Sequence, residues 1–272
     1  MSVQKSEDGK RWISVETEVP GTPEEVWEAI ATGPGVSAWF VPTERRDDGT
    51  VVSHFGPGMV AVAKQTAYEP PRRFAAESGM MGPDGPVMAT EWTVEARKGG
   101  TCVVRVVHSL FASTDDWDDQ LENVEKGWPD YFKILRIYLT HFKGQPCSAF
   151  QLLAMPAVSA SDAWQTITDA FGLAGANQGD ARKSTGNSPE FGGVVESTGS
   201  EGHSNQILMR LDDPTGGVAH FFSASMGGQT IVSIRFYLYG PDAAAAVATQ
   251  EPLWQAWQQA NLPAQGQPQA SC

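Results

Sequence analysis

The chain has 272 residues, 41% of them hydrophobic and 19% charged, which is enough apolar material for one large domain or two ordinary ones and too much for a disordered chain. The net charge of −13 argues against nucleic acid and anionic membrane as partners, since both select a basic face. No run approaches the ~18 consecutive apolar residues of a membrane span, the polar stretch Met1–Lys10 lacks the apolar core of a secretory signal, and Cys102, Cys147 and Cys272 form no close-spaced set, so a cytoplasmic protein is expected.

The first predicted element is a strand from Trp12 to Val19, where Ile13, Val15 and Val19 alternate with Ser14, Glu16 and Glu18. Pro20-Gly21 ends it. Thr22 then caps a helix, with Pro23 at the first helical position and Glu25 three residues after the cap, the pattern of a capping box. Val26, Trp27 and Ile30 give that helix an apolar face. Strand-like runs follow at Val51–Phe55 and Met59–Tyr68 around Gly56-Pro57-Gly58, then at Arg73–Ser78, Ala89–Ala96 and Thr101–Phe111, with Gly99-Gly100 marking a hairpin between the last two. Gly79–Met88 reads as a loop.

A long helix is predicted next. Trp117, Leu121, Val124, Trp128, Tyr131, Leu135, Tyr138 and Phe142 recur at alternating steps of four and three, so they share one stripe. Asp115, Asp116, Asp118, Asp119 and Glu122 gather at its start, where the helix dipole favours anions. Pro129 is expected to kink the helix or split it near Gly127.

The same order of elements then returns. Phe150–Pro156 is an apolar run of strand length, and Ser159 caps a helix in which Asp162, Trp164 and Ile167 take the places of Glu25, Trp27 and Ile30. A polar, glycine-rich stretch spans Gly172–Pro189. Strands are predicted at Gly192–Ser197, Gln206–Leu211, Val218–Ser225 and Thr230–Tyr239, with turns at Gly216-Gly217 and Gly227-Gly228. A helix from Asp242 to about Ala260, interrupted by Pro252, closes the copy, and the tail from Pro263 is expected to be disordered. Residues 1–145 hold 15 basic and 22 acidic side chains against 4 and 10 in 146–272, so two modules with different surfaces are expected, joined near Gly144-Gln145-Pro146. The fold class is α+β. An antiparallel sheet with one apolar face needs a cover, and a long amphipathic helix lying across a curved sheet supplies one and leaves a cavity between them.

Several segments resemble one known family. T-P-E-E-V-W-E-A-I from Thr22, A-W-F at Ala38–Phe40, Y-E-P-P-R-R-F at Tyr68–Phe74, K-G-G-T-C-V-V-R-V-V-H-S at Lys98–Ser109 and G-W-P-D-Y-F-K-I-L at Gly127–Leu135 are similar, in order, to the SRPBCC (START-like, helix-grip) superfamily. The branch they resemble is named after the activator of the heat-shock-protein-ninety ATPase, the AHSA type. The second copy shares the layout without the E-P-P junction and the A-W-F element. The resemblance implies two helix-grip modules, 1–145 and 146–272, each a curved antiparallel sheet wrapped around a long C-terminal helix. It also implies a hydrophobic cavity. Members bind lipids, polyketides, hormones or other apolar ligands, some are cyclases, aromatases or hydrolases, and the namesake stimulates a chaperone ATPase. Fold alone does not transfer function.

Candidate chemistry is sparse. His54, His108, His141, His203 and His220 show no HxH, HxxxH or HExxH spacing, so neither a metal site nor a cofactor is expected. His108 shares a strand face with Val104 and Val106 and would be a titratable group in an apolar pocket if that face looks inward. An acid–base role for it would need a nearby carboxylate, with Glu91 or Glu77 as candidates. Glu91 or Glu95 could otherwise form a cross-strand pair with Arg105, and Glu77 a local pair with Arg72 or Arg73. Cys102 reads as a small buried hydrophobe. The aromatics carry more information: Trp39, Phe40, Phe55, Trp92, Trp128 and Phe132, with His108, are placed to line a cavity between sheet and helix, against the alternative that they only fill the core. The leading expectation is a protein that binds a small apolar molecule without chemistry of its own. The alternatives are a chaperone ATPase co-regulator and a cyclase-, dehydratase- or hydrolase-type enzyme using His108.

Overall fold

In the computed structural model, which describes residues 3–56, 58–79, 86–112, 116–186, 188–200 and 203–263, the alternating segment around Ile13 forms a strand with Ile13 and Val19 buried. The chain divides into two compact units, Met1–Lys143 and Gly144–Cys272. The expected loop at Gly79–Met88 lies largely outside the described residues, as does the tail beyond Pro263.

The first unit runs β1 (Gln4–Lys5), β2 (Lys10–Pro20), α1 (Pro23–Ala31), α2 (Gly33–Ser37), β3 (Thr43–Arg45), β4 (Thr50–Gly56), β5 (Met59–Glu69), β6 (Arg73–Gly79), β7 (Val87–Arg97), β8 (Thr101–Phe111) and α3 (Asp118–Ile137), the last continuing as a π-helical turn over Tyr138–Phe142. The eight strands form one antiparallel sheet in the order β1-β2-β8-β7-β6-β5-β4-β3. The capping box forms in full: Thr22 Oγ1 accepts from the Glu25 N–H at 3.3 Å, and Glu25 Oε2 accepts from the Thr22 N–H at 3.0 Å. Gly99 and Gly100 both have positive φ, 92° and 81°, which permits the tight β7–β8 turn that glycine alone adopts without strain.

Residues the sequence marks as helix breakers behave otherwise. Gly33-Pro34-Gly35 begins α2, where Thr32 Oγ1 accepts from the Gly35 N–H at 3.0 Å. The split expected near Gly127 does not occur, because α3 passes unbroken through Pro129. Proline forfeits one rung of the helix ladder, at a cost of about 3 kcal/mol. The burial of Leu121 and Trp128 before it and Phe132 and Leu135 after it offsets that loss, at roughly 1.5–3 kcal/mol for each large apolar side chain. The start of α3 is held by Asp118, which meets Arg11 at 2.6 Å and Lys5 at 2.7 Å. The Lys5 hydrogen bond, then Arg11, holds the Asp118 carboxyl below its ordinary range.

The second unit runs β9 (Cys147–Ala154), α4 (Ala160–Ala170), β10 (Ala181–Lys183), β11 (Gly192–Ser200), β12 (His203–Asp213), β13 (Gly217–Met226), β14 (Gln229–Tyr239) and α5 (Ala243–Asn261). Its sheet is ordered β10-β11-β12-β13-β14-β9. In both units the first long strand pairs with the last, β2 with β8 and β9 with β14, and a long C-terminal helix packs on that pair. The chain is therefore α+β and consists of two helix-grip modules. Pro252 leaves α5 continuous, as Pro129 leaves α3. Ser159 Oγ accepts from the Asp162 N–H at 3.1 Å, so the second cap repeats the first of the two capping-box bonds. Among the described residues, no helix is long and apolar enough to cross a membrane.

Candidate functional site

Strand alternation places Val51, Ser53 and Phe55 of β4, Ala61 and Ala63 of β5, Phe74 and Ala76 of β6, and Met88, Thr90 and Trp92 of β7 on the face turned toward α3. Together with Phe40, His108, Trp128 and Tyr131 they line a cavity of about 390 Å³. None of the described residues lining it carries Asp, Glu, Lys or Arg chemistry. The rings form a continuous wall: Phe40 lies 5.1 Å from Trp128 at 27° and edge-on to Phe55 at 5.8 Å, while Trp92 meets Trp128 edge-on at 5.1 Å. Such pairs contribute roughly 0.5–1.5 kcal/mol each beyond burial.

Of the residues singled out in the sequence, Phe40, Phe55, Trp92, His108 and Trp128 line this cavity. Trp39 and Phe132 stand behind its wall. Trp39 is fully buried, donates its indole N–H to the Ala29 carbonyl at 2.8 Å and packs edge-on to Trp92 at 6.1 Å. Phe132 backs Trp128 at 5.5 Å and Trp92 at 6.3 Å. Sequence reasoning does not single out Thr90, Phe74, Tyr131 or the alanines as lining residues. The signal for Thr90 is its position two residues before Trp92, on the same strand face.

His108 is buried, with both ring nitrogens engaged. Trp128 Nε1–H donates to Nε2 at 3.0 Å, and Thr90 Oγ1 lies 2.9 Å from Nδ1. Burial pushes the imidazole pKa down to about 4 from 6.5, so the ring is neutral near pH 7. The carboxylates expected beside it lie elsewhere. Glu91 alternates with Thr90 and Trp92, so it occupies the opposite face of β7, where it binds Arg73 at 2.7 Å. Glu77 likewise alternates with Ala76 and Ser78 of the lining. Arg105 pairs with Glu16 at 2.7 Å rather than with Glu91 or Glu95, and Glu95 pairs with Arg97 at 2.7 Å. Arg73, not Arg105, takes Glu91, and it also binds Glu69 at 3.0 Å. The His108–carboxylate acid–base pair is therefore not assembled. Cys102 is buried, with its thiol 3.4 Å from the Gly21 carbonyl, and burial raises its pKa.

The helix and sheet that border this cavity have counterparts among known proteins. Residues 20–140 match the family described as Activator of Hsp90 ATPase homolog 1-like protein. The first unit belongs to this family. Among solved structures the chain is similar to the di-domain ARO/CYC BexL from the BE-7585A biosynthetic pathway, at 15% identity and a TM-score of 0.44, covering 95% of this chain and 100% of that one. It is similar to CalU16 from Micromonospora echinospora at 19% identity and a TM-score of 0.41, covering 51% of this chain and 80% of that one. Protein MLL2253 from Mesorhizobium loti is similar at 20% identity and a TM-score of 0.43, covering 48% of this chain and 97% of that one. No curated protein matches the chain.

In the second unit aromatic rings pack between the sheet and α5. There Trp254 of α5, 1% exposed, is ringed by Phe171 and Phe236, each at 4.6 Å, Phe191 at 5.8 Å and Phe221 at 6.2 Å. Trp257 adds a contact to Phe171 at 4.5 Å. Rings thus pack against α5 in the second module, and a walled cavity lies against α3 in the AHSA-type module.

Proposed function

We propose that the AHSA-type unit binds a small apolar molecule in the cavity between its sheet and α3. The observation that carries this reading is the aromatic-walled cavity of about 390 Å³, held between Phe40, Trp92 and Trp128. A core that only needed filling would collapse onto those rings, since packing contacts are lost across any gap. Pockets of this size and lining are the ordinary form of a small-ligand site. A reducing, cytoplasmic setting is part of the reading, supported by the free thiols of Cys102 and Cys147.

The test uses N-phenyl-1-naphthylamine, an uncharged apolar fluorophore. One molecule should bind per chain with energy transfer from Trp92 and Trp128, and Ala63→Phe, which fills the cavity from β5, should abolish that binding while leaving the far-ultraviolet circular dichroism unchanged. Binding that survives Ala63→Phe, or no binding to the native chain, overturns the proposal. Native mass spectrometry against lipids and aromatic metabolites then identifies the natural ligand.

The family's description also connects it to a chaperone ATPase, and the match over residues 20–140 supports regulation of such a partner as a second reading. It predicts co-purification with the chaperone and a changed ATPase rate. The two readings separate on Ala63→Phe, which should leave a surface-mediated effect on the ATPase intact.

A further inference from the structure

The bonding around His108 has a direction. An indole N–H donates and never accepts, so the Trp128 bond at 3.0 Å commits the lone pair of His108 Nε2. A neutral imidazole carries one proton, and with Nε2 accepting, that proton resides on Nδ1. The contact of 2.9 Å to Thr90 is then a donation from Nδ1–H to Oγ1. Thr90 Oγ1 accepts that hydrogen bond while its own hydroxyl hydrogen meets no acceptor among the described residues. Thr90 lines the cavity, so the uncommitted hydrogen has the cavity as its outlet. Successive donors oriented the same way polarise one another and strengthen the last of the series.

The other hydroxyls of the lining differ. Thr43 Oγ1 donates to the Val41 carbonyl at 2.9 Å or shares a proton with Ser53 at 3.1 Å, so that pair is satisfied internally. Ser78 is half-buried, with no ring beside it to orient its hydroxyl among the contacts of the described residues, and Asn123 is exposed to water. At Thr90 the neighbouring ring fixes the hydroxyl as a donor. The remaining wall offers aromatic faces, with the Tyr131 hydroxyl among them, and carries no charge, so an ionised ligand would be desolvated without a partner.

We propose that Thr90 is the directed hydrogen-bond donor of this cavity, and that the cavity takes an uncharged, flat molecule bearing an acceptor oxygen such as a carbonyl. This inference rests on the ligand-binding reading above and adds the ligand's chemistry to it. Trp128 and His108 are positioning residues for Thr90.

The test is a matched pair of probes, 9-fluorenone and fluorene, nearly identical in shape and differing in the carbonyl. The native chain should prefer fluorenone by about tenfold, the net worth of one hydrogen bond. Thr90→Val, which keeps the shape and removes the hydroxyl, should lose the preference. Thr90→Ser should keep it. The carbonyl stretch of bound fluorenone should lie below its value in hydrocarbon solvent, a readout that requires no variant to fold. Equal affinities for the two probes in the native chain, or a preference or shifted stretch that persists in Thr90→Val, overturns the assignment of Thr90 and leaves the cavity reading standing. Failure of both probes to bind, with N-phenyl-1-naphthylamine also excluded, overturns the ligand-binding reading and this inference with it.

Discussion

Trp128 of α3 donates its indole N–H to His108 Nε2 of β8 across 3.0 Å, and the two rings lie within 18° of parallel. The helix is thereby attached to the sheet by a polar bond set inside an apolar wall. The bond exists only while His108 is neutral, because a protonated Nε2 would present an N–H to an N–H. Burial keeps the ring neutral by moving its pKa down to about 4.

That coupling makes stability depend on pH. The unfolded chain takes up a proton at its histidine near pH 6.5, whereas the folded chain resists until about pH 4. The folded state therefore holds its full stability above pH 6.5 and loses it as pH falls between those values, by about 3 kcal/mol in all from this group. Urea denaturation across that range should show the slope, and His108→Gln should flatten it. An unchanged slope in His108→Gln would place the titrating group elsewhere.

Trp128→Phe keeps an aromatic ring in the wall and deletes the donor. His108 Nε2 is then left unpaired and buried, at a cost of about 1–3 kcal/mol. The vacated lone pair is also easier to protonate, so the His108 pKa should rise above that of the native chain. Its ring-proton shifts, followed by NMR through an acid titration, read that change directly. A pKa that stays where it was would mean the indole bond does not hold the ring neutral.

Much of this arrangement is legible in the sequence. The Gly99-Gly100 turn and the alternation on either side mark Thr101–Phe111 as a strand, and its bounds agree with β8. The stripe from Leu121 to Phe142 locates α3, and the repeated Trp-x-x-Ile frame locates α1 and α4. What escapes are short elements built from breakers, α2 at Gly33-Pro34-Gly35 and β10 among glycines, where capping and sheet pairing override local propensity. The ring wall is readable because aromatics announce burial. Thr90 is not, since a strand hydroxyl acquires its role only from the register that sets it opposite His108. The same register explains the misplaced ion pair: β8 lies between β2 and β7, with Glu16 and Thr93 opposite Arg105 and Glu91 opposite Val107.

Gly35 holds the corner that seats Phe40. A Cβ at this position would sit 1.8 Å from the Glu28 carbonyl oxygen, a backbone atom that cannot swing away. Gly35→Ala must therefore part α1 from α2. The expected loss is at least about 2 kcal/mol, with weaker probe binding as Phe40 moves off Trp128. Thermal melts of the variant with and without N-phenyl-1-naphthylamine check both effects. Native-like stability and binding would show the corner to be slack.

Trp254 offers the converse experiment in the second unit. Its indole occupies the space between sheet and α5, in contact with rings from α4's C-terminal end, β13 and β14. Trp254→Ala removes the filler while leaving Phe171, Phe191, Phe221 and Phe236 as walls, and should cost about 3–5 kcal/mol. The vacated space matches the indole that was deleted. Free indole should therefore bind the variant and recover part of the loss, in proportion to the logarithm of its concentration once above Kd. Trp254→Phe, which leaves less room, should respond weakly. Rescue by indole would establish that one side chain separates a closed helix-grip core from an open one; a variant that is destabilised yet indifferent to indole would mean the sheet has collapsed onto α5.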